Sequence, residues 1–313
     1  MFAICQYRCF GCFLCDLALA RGEYQLHVTL VYMTSTTNSA QGGPSESFPE
    51  YFKKLSADYA RQTGNSTRKV IERILQELQP SVTPSSIIHD NACGPGTATT
   101  AIISHIGHEP SLIEATDFSP GMVDTLLNEI STKNWKNVRA SVMDSHELTF
   151  PDNTFTVSIT NVSISTFQDP LRCLREVHRT LRLNGLAVVS TWKRFAVSDL
   201  IHTAQQAVRP DAQLVKVPRA EFMEDGYLQN LMAEAGFPSG SIQVWDISTV
   251  IQGQDSVGLR EFMLGGFTAS ARAGWTDEEH ARWEGAIDSA IAEEQTKNSG
   301  IKMEAWVVTA KKQ

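Results

Sequence analysis

Short apolar runs alternate with longer amphipathic segments between residues 86 and 192. Each short run ends near an acidic or amide side chain, and apolar positions in the segments that follow recur every three or four residues. This alternation is typical of an α/β protein with a mostly parallel sheet. The predicted strands cover residues 87–90, 112–117, 138–143 and 155–162. We expect a doubly wound α/β fold with a ligand at the carboxyl ends of the strands.

The turn after the first predicted strand is the most informative segment. Asp90 ends the strand, and Gly94 and Gly96 follow before a helix that begins at Thr97. Glycines let the backbone pass close to a ligand. A dinucleotide-binding loop has three glycines facing an anion, and Asp90 would repel a pyrophosphate. The turn therefore favours a cationic nucleotide such as S-adenosylmethionine and argues against a nicotinamide dehydrogenase.

Three further strands also end in polar side chains. Asp117 follows Asp90 at a spacing typical of an acid that binds ribose hydroxyls. A Ser-Pro pair then predicts the start of a helix, with Ser119 as its N-cap. Asp144 ends the third strand, and Asn161 lies at the end of the fourth. The sequence thus predicts four polar side chains at one edge of a sheet.

Residues 86–192 resemble the class I S-adenosylmethionine-dependent methyltransferases, which include the ubiquinone-pathway methyltransferases. Residues 90–96 resemble the family's first motif, residues 116–122 its ribose-binding motif and residues 143–145 its adenine-contacting motif. Residues 174–186 resemble the helix, turn and fifth strand that follow. The resemblance implies a seven-stranded Rossmann-like methyltransferase sheet with an antiparallel last strand and a helical lid.

The resemblance also implies a set of residues that bind S-adenosylmethionine. Residues 59–64 resemble the segment that contacts the methionine end of the cofactor, although core packing is an equally good interpretation of Tyr59. The predicted cofactor-binding residues are Tyr59, Thr63, Asp90, Ala92, Gly94, Gly96, Asp117, Phe118, Met122, Met143, Asp144 and Asn161.

Two positions depart from the family pattern. Ala92 stands where the family usually has glycine, which narrows the space beside the methionine moiety, and Asn184 stands where proline or glycine is usual. The form of the first motif, with residues 190–192 after the fifth strand, is closest to fungal small-molecule methyltransferases. That group includes enzymes that methylate dithiol diketopiperazines, and it implies a role in secondary metabolism.

The composition excludes several classes of protein. The chain has 313 residues, of which 42% are hydrophobic and 20% charged, as in an ordinary globular protein. A net charge of −8 and the lack of a basic run argue against a nucleic-acid substrate. No apolar run has the length of a membrane span. We expect a cytoplasmic enzyme, monomeric or homodimeric, with a small-molecule substrate.

The first 47 residues differ from the rest of the chain. Cys5, Cys9 and Cys12 have the spacing of a radical S-adenosylmethionine cluster motif, but no strand is predicted before them and the usual aromatic residue is missing. A secretory signal is disfavoured because charges interrupt the apolar segment. We expect residues 1–47 to be a poorly ordered extension and linker, with no metal site and no disulfide framework, in a reducing compartment.

A single methyltransferase domain is expected over residues 48–313. Its predicted parts are cap helices at 48–80, the core sheet at 86–192, a lid insertion at 193–238, and a C-terminal hairpin and helices at 239–313. Within the later parts, helices are predicted at 197–208 and 219–235, and strands at 241–249 and 302–308.

No catalytic base is evident. His202, in the insertion, is the one histidine that we would test as a base, whereas His146 is interpreted as a solvated loop histidine and His178 as structural. A sulfonium is an excellent leaving group, so alignment and desolvation can supply most of the acceleration. We expect methyl transfer to sulfur, oxygen, nitrogen or carbon of an apolar small molecule. The alternative is a methyltransferase fold that binds the cofactor but serves as a binding module or a cyclisation catalyst.

Overall fold

The computed structural model describes residue 56 and residues 58–78, 82–217 and 219–313. The predicted extension and linker lie outside these residues. Within them, seven strands form one sheet in the order β3-β2-β1-β4-β5-β7-β6. The strands are Ile87–Asn91 (β1), Leu112–Asp117 (β2), Val138–Val142 (β3), Phe155–Thr160 (β4), Leu181–Arg194 (β5), Gln243–Ile251 (β6) and Ile301–Lys311 (β7).

Strands β1 to β5 run parallel, and β7 lies antiparallel between β5 and β6. The chain moves outward from β1 through β2 to β3 and then returns to β4 on the other side of β1. Ligands of open α/β sheets bind at such a reversal, outside the carboxyl ends of the strands. The predicted doubly wound, seven-stranded sheet with an antiparallel last strand is confirmed.

Helices cover both faces of the sheet. They are Tyr59–Gln62 (α1), Ser66–Glu77 (α2), Thr97–Ile106 (α3), Pro120–Lys133 (α4), Pro170–Thr180 (α5), Ala196–Val208 (α6), Tyr227–Glu234 (α7), Gln254–Leu264 (α8) and Asp277–Asn298 (α9). Alternate residues of β5 belong to different apolar clusters, as a strand buried on both faces requires. Leu186 and Val188 join the cluster that contains α2 and α3, whereas Ala187 and Val189 join the cluster that contains α5 and α7.

A third apolar cluster joins α6, which follows β5, to α8 and α9, which precede β7. Buried members include Leu200 of α6, Met263 of α8 and Ile287 of α9. These helices therefore pack together although 45 residues of chain, from 209 to 253, separate α6 from α8. The predicted limits of the lid, at residues 193 and 238, stay a prediction.

The helix predicted over 219–235 is broken. Gly226 adopts a left-handed conformation (φ 79°), which interrupts a right-handed helix. The segment instead contains a 3-10 helix at Ala220–Met223 and a separate helix that begins at Tyr227. Its apolar residues still pack inward, since Phe222 is fully buried in the cluster that contains α5 and α7.

Ser119 is the N-cap residue of α4, as predicted, but neither α2 nor α4 has a side-chain cap. Helix α2 follows Asn65, which is left-handed (φ 54°), so Ser66 and Thr67 lie inside the first turn and are buried. Helix α4 does follow Ser119, but that side chain makes no capping hydrogen bond. Its buried hydroxyl oxygen has no hydrogen-bond partner within the described residues.

Candidate cofactor site

The loop between β1 and α3 contains three residues with left-handed backbone conformations: Ala92 (φ 53°), Gly94 (φ 55°) and Gly96 (φ 91°). A Cβ on Gly96 would lie 2.4 Å from Cδ1 of the fully buried Leu126, so a larger residue at position 96 would force Leu126 to shift. A Cβ on Gly94 would meet nothing within 4 Å. The backbone at Gly94 therefore borders open space, as close approach of a ligand requires.

Ala92 adopts the conformation that the family's usual glycine would adopt freely. For an alanine this conformation costs roughly 1–2 kcal/mol. Its methyl group packs against the cluster that contains α5 and α7. The departure from the family pattern is therefore accommodated by local strain, and the expected narrowing beside the methionine moiety stays a prediction.

Asp90 lies at the end of β1, fully buried beneath this loop. Its Oδ2 accepts hydrogen bonds from the backbone N–H of Thr99 (2.9 Å) and from the Thr99 hydroxyl (2.6 Å). Burial raises the pKa of Asp90 to about 6, although the hydrogen bonds from Thr99 oppose this effect. Ionisation of Asp90 therefore lowers the stability of the folded protein.

Asp117, at the end of β2, connects the first-motif loop to the start of α4. Its Oδ2 accepts from the Gly94 N–H and its Oδ1 from the Ser119 N–H, both at 2.9 Å. Burial raises its pKa, and the two backbone hydrogen bonds oppose the rise. Each carboxylate oxygen keeps a further lone pair with which a ribose hydroxyl can bond.

Thr67 connects Tyr59 with Asn161. The Tyr59 hydroxyl hydrogen-bonds to the Thr67 side chain, and burial together with the charge of Asp117 raises the tyrosine pKa. Asn161 Nδ2 donates to the Thr67 carbonyl oxygen (3.0 Å), and Asn161 Oδ1 accepts from the Ser190 hydroxyl (3.1 Å). The structure therefore brings Tyr59 and Asn161 to the same edge of the sheet as Asp117.

The other predicted residues differ in exposure. The Phe118 side chain is 52% exposed beside Asp117, whereas Met122 is 3% exposed and lies within the packed face of α4. Met143 is half-buried. The Thr63 hydroxyl donates to the Tyr59 carbonyl oxygen (2.8 Å) at the end of α1.

The loop after β3 is connected to the sheet by buried polar side chains that the sequence analysis missed. The Ser145 hydroxyl donates to Asn91 Oδ1 (2.8 Å), and Asn91 Nδ2 donates to Thr160 Oγ1 (3.1 Å). The available signal was Asn91 itself, because an amide at the end of a buried strand requires hydrogen-bond partners. This chain of bonds joins the loop that carries Asp144 to both β1 and β4.

His146 is not a solvated loop histidine, and that interpretation was wrong. Its Nδ1 lies 2.6 Å from Asp144 Oδ1, and its Nε2 accepts from the backbone N–H of Asp169 (3.0 Å). Burial alone would raise the pKa of Asp144, but the hydrogen bonds from His146 and the charge of Arg172 lower it overall. Asp169 is distant in sequence, so local pattern gave no sign of this contact.

His202 lies on α6, where its Nε2 donates to the carbonyl oxygen of Val215 (2.7 Å). The buried Gln205 accepts from the Val215 N–H (3.1 Å) and donates to the carbonyl oxygen of Ala271 (2.8 Å). These side chains fix the segment after α6 and give His202 a structural partner. Its role as a base stays a prediction.

The end of β5 presents an aromatic pair. The rings of Trp192 and Phe195 stack with centroids 5.7 Å apart and an angle of 27° between their planes, and both side chains are half-buried. Ser190, which bonds to Asn161, lies two residues before Trp192 on the same face of β5. The pair therefore lies close to the edge that carries Asp117.

Residues 89–189 match the family model described as a methyltransferase domain. The chain is similar to methyltransferase ucsB of Acremonium sp, with 23% identity over 57% of this chain and 67% of that protein. It is 22% identical to methyltransferase ktnA of Aspergillus niger over 72% of this chain and 84% of that protein. The crystal structure of the YcgJ protein from Bacillus subtilis covers 78% of this chain and 97% of its own length, at 15% identity and a TM-score of 0.47.

The matched segment contains Asp90, Asp117 and Asp144, the acids at the carboxyl edge of the sheet. The chain therefore contains a methyltransferase domain over residues 89–189, and S-adenosylmethionine is its cofactor.

The residues present fit this cofactor. Neither Asp90 nor Asp117 has a cationic neighbour among the residues that the structure describes, so these acids suit a ligand that carries an ammonium and a sulfonium group. The unsatisfied Ser119 hydroxyl beside Asp117 is a further polar atom for which a ligand could supply a partner. Across the described ranges, no group of side chains could bind a metal ion and no helix could cross a membrane.

Proposed function

We propose that this methyltransferase transfers the methyl group to an apolar small molecule in secondary metabolism, without a dedicated protein base. Residues 48–313 act as one domain, with 193–238 as the lid. Asp90, Gly94 and Gly96 bind the methionine end, Asp117 and Phe118 bind ribose and adenine, and Asp144 binds the adenine amino group. The remaining predicted residues line the same cleft.

The pairing of the cations at the end of β5 is the observation that carries the proposal. Lys193 lies 3.3 Å from Asp246 and 4.2 Å from the centroid of the Trp306 ring. Arg194 forms ion pairs with Glu294 (2.8 Å) and Asp199 (2.9 Å). Both charges are therefore already compensated, so these cations would contribute little to an anionic acceptor.

The stacked rings of Trp192 and Phe195 are the complementary feature of the same strand end. Half-buried aromatic rings contribute large apolar contact areas, and a planar apolar molecule gains additional energy by stacking on them. Because Ser190 and Asn161 connect this strand end to the cofactor edge, we place the acceptor between the aromatic pair and Asp117.

The chemistry requires little from the chain beyond placement. S-adenosylmethionine supplies a methyl group on a sulfonium, a leaving group that needs no protonation. Asp90 and Asp117 orient the two ends of the cofactor, while Tyr59 and α2 exclude water from its methionine end. Holding the acceptor in line with the methyl group supplies the main rate acceleration, since orientation alone can be worth about 7–11 kcal/mol.

The described side chains near the cleft are poorly suited to act as a base. Burial raises the pKa of Tyr59 further above neutrality. Both ring nitrogens of His146 are engaged, and Nε2 of His202 is engaged with Val215. The acceptor proton therefore leaves through the acceptor's own ionisation, which is feasible for a thiol or an acidic phenol near neutral pH.

Methyl-labelled cofactor tests the proposal. The protein is incubated with an extract of its own host, and then with matched pairs of planar thiols or phenols that differ by one added carboxylate. We expect label on the uncharged member of each pair. Preferential labelling of the carboxylates would contradict the apolar acceptor. A protein that binds S-adenosylhomocysteine but labels nothing would instead support the binding module or cyclisation catalyst.

A further inference from the structure

We propose that His146 is a positioning residue that orients Asp144 toward the adenine amino group and couples it to the loop before α5. The inference rests on the proposed role of Asp144 in binding adenine. His146 lies between the two partners, with one ring nitrogen on each. No part of the family resemblance assigned it a function.

The hydrogen-bond partners determine which ring nitrogen carries the proton. The backbone N–H of Asp169 can only donate, so Nε2 of His146 accepts and bears no proton. Nδ1 then carries the proton and donates to Asp144 Oδ1 at 2.6 Å. The backbone N–H of His146 donates to the same oxygen at 2.9 Å. These two bonds leave Oδ2 of Asp144 to accept from an exocyclic amino group.

Asp144 needs such support because its side chain is 65% exposed and lies outside any strand or helix. An exposed carboxylate rotates among several positions, and a ligand that fixes it must offset the lost conformational entropy. The imidazole removes most of that freedom before the ligand arrives. The oriented carboxylate therefore binds a ligand with a smaller loss of conformational entropy.

The second partner connects the adenine side to the other half of the cleft. The Asp169 side chain caps α5 by accepting from the Arg172 N–H (3.0 Å). The segment between Asn161 and Asp169 contains the 3-10 helix Ile164–Thr166, which lies beside β5. The His146 imidazole therefore connects the loop that carries Asp144 to the segment between Asn161 and Asp169, on the proposed acceptor side.

A general role in folding is the competing explanation. The loop has an independent anchor, because the Ser145 hydroxyl bonds to Asn91 within the buried network. Removing the imidazole should therefore leave the loop in place and change mainly the orientation of Asp144. The two functions of the ring can also be separated, since an asparagine amide can replace Nδ1 and a glutamine carbonyl can replace Nε2.

The test measures S-adenosylhomocysteine affinity by calorimetry in the full chain for His146→Asn, His146→Gln, Asp144→Ala and the double variant Asp144→Ala/His146→Gln. We expect His146→Asn to bind within about twofold of the parent and His146→Gln to bind about tenfold more weakly, as loss of a hydrogen bond to a charged group predicts. The double variant should bind no more weakly than Asp144→Ala alone, because His146 acts through Asp144.

Amide hydrogen exchange at Asp169 provides the second readout. His146→Gln should keep the slow exchange of the parent, whereas His146→Asn should lose it. Equal affinities for the parent and both His146 variants would overturn the inference. Additive losses of affinity in the double variant would overturn it too. So would affinity losses that rank in the same order as the losses of melting temperature, because they would indicate a general role in folding. An unchanged affinity in Asp144→Ala would overturn it as well. A parent that does not bind S-adenosylhomocysteine would instead contradict the proposed function.

Discussion

The two sides of the cleft are built differently. At the cofactor edge, Asp90 and Asp117 end adjacent parallel strands, and every backbone N–H that fixes them lies in the turns and helix starts that directly follow these two strands. At the end of β5, Lys193 and Arg194 are fixed by Asp246 and Glu294, which come from much later in the chain. The first arrangement follows from local sequence, and the second depends on the whole fold.

The two arrangements therefore serve two different requirements. The cofactor edge binds a single molecule, S-adenosylmethionine, so a rigid edge of turns and buried acids suits it. The acceptor side depends instead on how helices α6, α8 and α9 pack together beside the end of β5. The predictions below test this separation, beginning with the largest expected effect.

Gly96→Ala should be the most damaging substitution in the cofactor edge. It combines a left-handed backbone with a Cβ 2.4 Å from Leu126, and overpacking with backbone strain costs roughly 2–5 kcal/mol in folding stability. Gly94→Ala is the matched control, because it has the same backbone strain in open space and should cost only about 1–2 kcal/mol. Chemical denaturation of both variants measures the difference. Equal losses would show that Leu126 does not confine the turn.

Asp90→Asn should stabilise the protein near neutral pH while weakening cofactor binding. The folded pKa of about 6 lies above the usual value of 3.8, so the folded parent binds a proton that the unfolded chain releases between these pH values. The parent therefore loses stability as pH rises from about 4 to about 6, by about 3 kcal/mol in total. The amide does not titrate and can still accept from Thr99.

Thermal melts of the parent and of Asp90→Asn from pH 4 to pH 8 measure this difference in stability. The variant should be the more stable protein above about pH 6, and the gap should close toward pH 4. Asp124→Asn, at an exposed acid on α4, is the control and should show no such gap. A gap that widens toward low pH would reverse the sign of the argument and exclude Asp90 as its cause.

Asp117→Ala should weaken S-adenosylhomocysteine binding by roughly 1–3 kcal/mol, the range for hydrogen bonds to a charged partner. It should also lower the melting temperature, because the Gly94 and Ser119 N–H groups lose their acceptor. Calorimetry and melts separate the two losses, with Asp124→Ala as the control. A variant that binds like the parent removes Asp117 from the site.

Sequence reasoning succeeded where the chemistry is local. The strand ends at Asp90 and Asp117 and the two glycines could be predicted because strand period, turn chemistry and ligand charge all act over a few residues. The start of α4 at Ser119 was also predicted, but the absence of a capping hydrogen bond from its side chain was not. The contacts of His146 were missed because its second partner, Asp169, lies on a loop that is distant in sequence.

The end of β5 lay beyond sequence reasoning for the same physical reason. Nothing local indicates that Arg194 is neutralised by Glu294, a residue 100 positions away, or that Gln205 links the segments at Val215 and Ala271. Such contacts depend on how α6, α8 and α9 pack together. Apolar periodicity predicts that these helices are buried but does not identify their partners.

Trp192→Ala and Phe118→Ala should show opposite effects if the two sides of the cleft are independent. Trp192→Ala removes an aromatic contact from the acceptor side and should raise the acceptor KM about tenfold with little change in S-adenosylhomocysteine affinity. Phe118→Ala should weaken that affinity and leave the acceptor KM nearly unchanged. Steady-state kinetics and calorimetry on both variants provide the comparison. If each variant changes both quantities, the separation of the two sides is wrong.

The smallest effect is expected for His202→Ala. Its Nε2 donates to the Val215 carbonyl oxygen, so its loss should lower stability slightly through the segment after α6 and change the turnover rate by less than about tenfold. With saturating cofactor, the rate should rise with pH along the titration of the acceptor and shift when an acceptor of different acidity is used. His202→Gln serves as the control, since its amide can still donate to Val215 and should restore the stability. A bell-shaped profile that ignores the acceptor, or a hundredfold loss of rate in His202→Ala with binding intact, would mean that the unbonded ring nitrogen of His202 removes the proton and that the acceptor side supplies chemistry as well as shape.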